Sequence, residues 1–211
     1  MLLTFDTCLD KTYVGLADNK KILGTKVVEN QGSTYHSAYL ISTIRELLKE
    51  NNVTPQNVTH IATDIGPGSF TGIRACTTVA KVMAQQLHLK TAGISSLDIL
   101  AKLNNNSDKN SLVLLDARKN KSYVHDGKIL GAIDLEEVKE LVKKSNYSII
   151  CDDSMYNIFA EYSTDIKSYT TIEHNFAEIL INLANEYFKQ NPQGGNDITP
   201  LYIQPPPIFG K

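Results

Sequence analysis

Three glycines and a proline fall within one short stretch, Gly66-Pro67-Gly68-Ser69-Phe70-Thr71-Gly72, between an alternating apolar run over residues 59–64 and a helical pattern over residues 73–87. Such a corner suits two uses. At a helix N-terminus its free N–H groups can cradle a phosphate. Alternatively it closes a tight strand-to-helix turn, with Gly66 and Gly68 at positive φ, Pro67 fixing the turn and Gly72 letting the backbone pass close to a neighbour. The loop lacks the Gly-Lys-Ser/Thr ending of a P-loop and the full spacing of a dinucleotide fingerprint, which favours the turn. Other reactive side chains are scattered. Ser69 and Thr71 lack a Gly-x-Ser-x-Gly elbow, and Cys8 has no assignable His or carboxylate partner, so a turn hydroxyl and a packed thiol are the simpler roles. The histidines, His36, His60, His88, His125 and His174, never recur at i+3 or i+4 and form no HExxH pattern. Cys8, Cys76 and Cys151 are far apart and outside CxxC spacing, as expected of buried free thiols rather than metal ligands.

The bulk properties narrow the partners. A chain of 211 residues, 42% hydrophobic, can bury a sizeable core, and a formal net charge of -2 gives no overall pull toward nucleic acid or an acidic membrane. Any RNA contact must be local or come through a partner. The first residues carry no basic run, and no apolar stretch approaches the ~20 residues that span a bilayer, so a cytoplasmic protein without membrane contact is expected.

Periodicity then supplies the elements that hold the corner. Short β-prone runs over residues 2–7, 12–17 and 21–29 read as a three-strand meander. A helix carries Leu40, Ile41, Ile44, Leu47 and Leu48, and a fourth strand over residues 58–65 leads into the glycine loop. The helix after it carries Ile73, Cys76, Ala80, Met83 and Leu87 on one side, and Ala75, Val79, Val82 and Ala84 on the other. A helix apolar almost all round needs a second element to cover it. A fifth strand and a short capped helix follow, and the polar run over residues 104–111 reads as a linker. This places a first lobe at residues 1–104 and a second, shorter one at residues 105–211. The order strand, strand, strand, helix, strand recurs after the linker, which predicts a duplicated α/β unit, and a helix over residues 175–190 precedes an extended tail.

Two such halves in tandem are the plan of the actin, Hsp70 and sugar-kinase superfamily, an α/β class with ribonuclease H-like lobes, here with the second reduced. The stretch from Ile65 to Arg74, followed by Ala80-Lys81, Gly93-Ile94-Ser95-Ser96-Leu97 and Leu114-Leu115-Asp116-Ala117-Arg118, resembles the bacterial TsaB (YeaZ) family. Weaker matches lie at Phe5-Asp6-Thr7, Tyr35-His36-Ser37 and Pro200-Leu201-Tyr202-Ile203, while Gln204 stands where the family commonly carries arginine. The resemblance implies an accessory subunit, not an enzyme, that pairs with the paralogue TsaD. With the ATPase TsaE it would support transfer of threonylcarbamoyl to the adenosine beside the anticodon of certain tRNAs, touching tRNA only through the complex. ATP and metal are then expected on the partner subunits and no cofactor on this chain. Where TsaD relatives bear two metal-binding histidines, alignment on the Gly-Pro-Gly loop puts Ser96 and Leu100, and Leu100 cannot ligate a metal.

A kinase or weak nucleotide-binding protein of the same superfamily is the alternative. The turns Asp6-Thr7-Cys8-Leu9-Asp10 and Asp116-Ala117-Arg118-Lys119-Asn120 lack the glycine that lets backbone N–H groups reach phosphates, and leave Thr7 and Cys8 as the place for a weak contact. The expected pairing surface is built from the first two helices: Tyr35, His36, Tyr39, Leu40 and Thr43 with Ile73, Arg74, Thr77, Ala80, Met83 and Ala84. Such a face would dock two helices of the paralogue as a four-helix bundle and form a homodimer when alone. Arg74, at the helix end that disfavours cations, reads either as the partner of a carboxylate across that boundary or as a solvated side chain.

Overall fold

The computed structural model describes residues 1–29, 35–104, 109–144, 146–195 and 198–204. They form two compact units, Met1–Ile99 with Asn175–Leu201, and Leu100–His174 with residues 202–204 of the described tail. In the first, β1 (Leu2–Asp6), β2 (Thr12–Asp18), β3 (Lys21–Val28), β4 (His60–Asp64) and β5 (Lys90–Ile94) make one sheet in the order β3-β2-β1-β4-β5. The meander pairs antiparallel, and β4 and β5 add in parallel beside β1. All five β1 residues are buried because helices cover both sheet faces. On one face Leu3, Phe5, Val14, Leu16 and Ile61 pack with α1 (Leu40–Glu50) and α2 (Phe70–Leu87), through Leu40, Ile44, Leu47, Ile73, Cys76 and Ala80. On the other lies α6 (Phe176–Gln190). Its Phe176 ring meets Tyr13 edge-on at 5.1 Å, and a Cβ on Gly15 would come within 2.8 Å of Ile181 Cδ1, so glycine there admits the helix.

The position of α6 corrects the expected division at residue 104. Its buried stripe, Phe176, Ala177, Leu180, Ile181 and Ala184, belongs to the first sheet, so the chain returns to the first unit after completing the second. Of the expected linker, residues 105–108 lie outside the described residues, as do residues 205–211 of the tail; the flank at Asn110 already pairs as strand. The Gly194-Gly195 pair is pinned to β5, where the Gly195 N–H donates to the Thr91 carbonyl at 2.9 Å.

The second unit repeats the order. After α3 (Ser96–Ala101) come β6 (Asn110–Asp116), β7 (Lys121–Asp126) and β8 (Ile129–Asp134), then α4 (Leu135–Lys144), β9 (Tyr147–Cys151), α5 (Asp153–Phe159) and β10 (Ile166–Ser168). The sheet order β8-β7-β6-β9-β10 matches the first sheet strand for strand. The repeat extends to side chains. Asp6 and Asp116, each closing its first strand, accept from the N–H two residues on, Cys8 at 2.5 Å and Arg118 at 2.7 Å. Asp64 and Asp153 each accept hydroxyls from the end of the outer parallel strand, Ser96 in the first unit and Ser168 with Thr170 in the second. The second turn manages without glycine by placing Arg118, Lys119 and Asn120 all at left-handed φ (63°, 52° and 57°), a conformation costing roughly 1–2 kcal/mol per residue.

Candidate functional site

In open α/β sheets ligands bind outside the carboxyl ends of the parallel strands. Here β1 and β4 run side by side with Phe5 opposite Thr63, which sets Asp6 and Asp64 together at that end. Both are fully buried. Asp64 accepts from the Gly66 N–H at 2.7 Å, and Ser96 Oγ donates to its two oxygens at 2.6 and 2.8 Å. Burial pushes the Asp64 carboxyl up to about 6 against these hydrogen bonds, from an ordinary 3.8. Asp6 is raised well above its ordinary value, first by burial and then by the charge of Asp64.

Both acids therefore hold protons in the folded chain at pH values where the unfolded chain has released them. The contribution of Asp64 to stability is full below about pH 4 and is lost as pH rises through about 6. For Asp64, the rise from 3.8 to about 6 corresponds to about 3 kcal/mol. Urea unfolding of the parent chain and Asp64→Asn between pH 4.5 and 8 checks this. The parent should lose stability relative to the variant as pH rises, and a constant difference between the two would refute it.

The glycine loop faces the same end of the sheet and closes it. A Cβ on Gly72 would overlap the Thr7 carbonyl oxygen, and one on Gly68 would overlap that of Cys8. Backbone thus lies directly on backbone. The Ser69 N–H donates to the Cys8 carbonyl at 2.8 Å, Thr7 Oγ1 donates to the Gly72 carbonyl at 2.7 Å, and the Ser69 hydroxyl caps α2 by accepting from the Gly72 N–H at 3.2 Å. Of the two uses open to this corner, the tight turn is the one the geometry fits. Gly66 takes positive φ (98°) beside the buried Pro67, whereas Gly68 does not, and its missing Cβ serves the approach to Cys8. Thr7 and Cys8, expected to offer a weak nucleotide contact, are corrected to interior positions: both are buried, with their polar groups turned to the chain itself.

The helical flank needs a similar correction. Leu40, Thr43, Ile73, Thr77 and Ala80 point into the unit's own core, because the inner face of α1 and α2 covers the sheet. Thr43 and Thr77 spend their hydroxyls on the carbonyls of Tyr39 and Ile73, four residues back. Met83, Ala84 and Tyr39 are half-buried, Tyr35 is 72% exposed, and the His36 side chain lies outside the described residues. The outward residues of α2 are others: Phe70 (43% exposed), Arg74, Thr78 and Val82 (54% exposed), spaced four apart, with Val79 and Met83 beside them. Sequence reasoning named Arg74 here but missed Phe70, whose ring the Arg74 guanidinium covers at 4.2 Å from the centroid. That contact adds a third role for Arg74 to the two expected. Phe70 follows the N-cap, and the four-residue spacing from it to Val82 was the available signal.

The family model described as TsaD, tRNA N6-adenosine threonylcarbamoyltransferase, matches residues 21–149, more than half of the chain. The chain belongs to this family. The tRNA threonylcarbamoyladenosine biosynthesis protein TsaB of Buchnera aphidicola subsp. Baizongia pistaciae is 34% identical over 126 residues, 59% of this chain and 55% of that protein. The TsaB of Bacillus subtilis is 33% identical over 88 residues, 42% and 38% of the two chains. A tRNA N6-adenosine threonylcarbamoyltransferase of Ureaplasma parvum is 28% identical over 100 residues, 41% of this chain and 30% of that one. The chain thus spans about half the length or less of these curated relatives. YeaZ from Pseudomonas aeruginosa matches in fold, with a TM-score of 0.68 at 21% identity over 92% of this chain and 94% of that one. The tandem actin-like, ribonuclease H-like plan expected from the element order is the fold of this protein. At the two positions that the TsaD resemblance gives to metal-binding histidines, Ser96 is bonded to Asp64 and Leu100 is fully buried. No helix among the described residues is long and apolar enough to cross a membrane.

Proposed function

We propose that this chain is a non-catalytic accessory subunit that pairs with a TsaD-like paralogue and, with a TsaE-like ATPase, supports threonylcarbamoyl transfer to tRNA. The observation that carries this reading is the closure of the sheet end, where Gly68 and Gly72 bring the loop onto the backbone of Thr7 and Cys8 and the Ser69 N–H is taken by the Cys8 carbonyl. A subunit so sealed contributes through its surface. The outward face of α2 is the part of that surface suited to a helix partner, with the exposed apolar side chains Phe70 and Val82 near its two ends and an arginine that supplies orientation. Since TsaD shares the family, two related faces would meet about a pseudo-two-fold axis, and the same face would join two copies of this chain when the paralogue is absent. Pairing acts by mass action: whichever TsaD conformation this face fits is the one it populates. tRNA contact then comes through the assembled complex.

Sedimentation velocity of this chain mixed with a TsaD homologue tests the reading. A new, faster heterodimer boundary that draws down the homodimer is expected, together with transfer activity that requires both chains. Independent sedimentation of the two proteins at micromolar concentrations would reject it.

A further inference from the structure

We propose that Asp6, Cys8 and Cys76 form a site for one zinc-class divalent ion inside the first unit, at the carboxyl end of β1. One carboxylate oxygen and two sulfurs, brought from β1, the turn after it and the middle of α2, lie within 4.8 Å of one another. All three residues are buried. A second observation points the same way: Asp6 Oδ1 is satisfied by the Cys8 N–H, while the buried Oδ2 accepts from no N–H or hydroxyl and has only the Asp64 carboxyl beside it. Leaving such an atom unsatisfied costs about 1–3 kcal/mol, and folded proteins contain few of them.

The donor set selects the ion. Two soft sulfurs and a single oxygen fill three of the four positions of a tetrahedral zinc site, whereas calcium and magnesium demand several oxygens. Neighbouring groups already orient the sulfurs: Thr7 Oγ1 lies 2.9 Å from Cys76 Sγ, and Cys8 Sγ lies 3.6 Å from the Asp64 carbonyl oxygen. Burial pushes the Cys8 thiol and the Asp6 carboxyl well above their ordinary values. Loading exchanges protons for metal: the thiolate is the ligand form of cysteine, so a thiol that binds the cation gives up its proton to solvent. Affinity should therefore rise steeply with pH. With the glycine loop lying over the turn, the ion enters during folding or a local opening and exchanges slowly.

Cobalt(II) is the probe. The reduced full-length chain is titrated as purified, and also refolded from urea with one equivalent of cobalt under anaerobic conditions. One ion should be retained through gel filtration, with thiolate-to-cobalt charge-transfer absorption that zinc abolishes. Cys8→Ser and Cys76→Ser should each lose the band, Cys151→Ser should keep it, and Asp6→Asn should keep the band with at least about tenfold weaker binding. An indicator dye should record at least one proton released per ion, a measurement that needs no variant and so holds if the cysteine variants misfold. Absence of retained cobalt after refolding, fewer than one proton released, a band that survives Cys8→Ser, or a disulfide between Cys8 and Cys76 under the same conditions would each overturn the site.

Discussion

Gly72→Ala should lower the unfolding free energy by about 3 kcal/mol or more, against the usual sign of this substitution in a helix. Alanine normally gains up to ~1 kcal/mol over glycine at a helical position, since it restricts the unfolded chain and exposes less backbone. Here the new methyl group would occupy the place of the Thr7 carbonyl oxygen, and that oxygen belongs to backbone held by β1 and its turn. No rotamer change relieves the overlap. Either α2 shifts away, losing the Ser69 bond to Cys8 and the Thr7 bond to Gly72, or the turn after β1 moves and disturbs the buried Asp6. Overpacking of this kind costs roughly 1–3 kcal/mol where side chains can yield and more where they cannot. Thr71→Ala, one residue earlier and exposed, is the control and should change stability by less than about 0.5 kcal/mol. Urea unfolding of both variants with the same m-value checks the difference. A Gly72→Ala protein as stable as its parent would show that the loop does not seal the sheet end.

That outcome bears on how much of the molecule its letters reveal. Glycine spacing exposed the corner because only glycine permits such a backbone approach, and short β-prone runs between turn residues exposed the strands even where, as in β1, both faces are buried. Return of α6 to the first sheet was not legible, since its stripe of Phe176, Leu180 and Ile181 would fit either sheet and nothing local names the partner. The small elements α5 and β10 carry too few residues to establish a period. Inward and outward faces of α2 were confused for a related reason. Periodicity needs contrast between faces, and a helix with Ala75, Val79 and Val82 opposite Ile73, Cys76 and Ala80 offers little. Packing decides it: Ala80 disappears against the core while the larger Val82 stays in solvent. The convergence of Asp6, Cys8 and Cys76 was hidden in the same way, because residues far apart in sequence meet only after β1 and α2 are laid together.

Val82→Glu should abolish pairing with the TsaD-like partner while leaving the isolated chain folded, and its contrast with Ala80→Glu locates the docking face. Val82 is 54% exposed on α2, so glutamate there meets water in the lone chain and costs no more than about 0.5 kcal/mol. In the complex the same carboxylate would be taken out of water against apolar side chains, a burial worth roughly 3–5 kcal/mol when no cation compensates it. At 1.4 kcal/mol per decade, that weakens association by at least about a hundredfold. Arg74 stands two turns away along the same face and already rests on Phe70, so it is poorly placed to neutralise the new charge. Phe70→Glu, nearer to Arg74, should weaken pairing less for that reason. Ala80→Glu behaves differently, since Ala80 is fully buried: the variant should unfold or aggregate before any partner is added, which circular dichroism would register. If Val82→Glu pairs with parental affinity in sedimentation velocity, the outward face of α2 is not the docking surface. A partner would then have to use another part of the first unit, with Tyr35 as the exposed residue to test next.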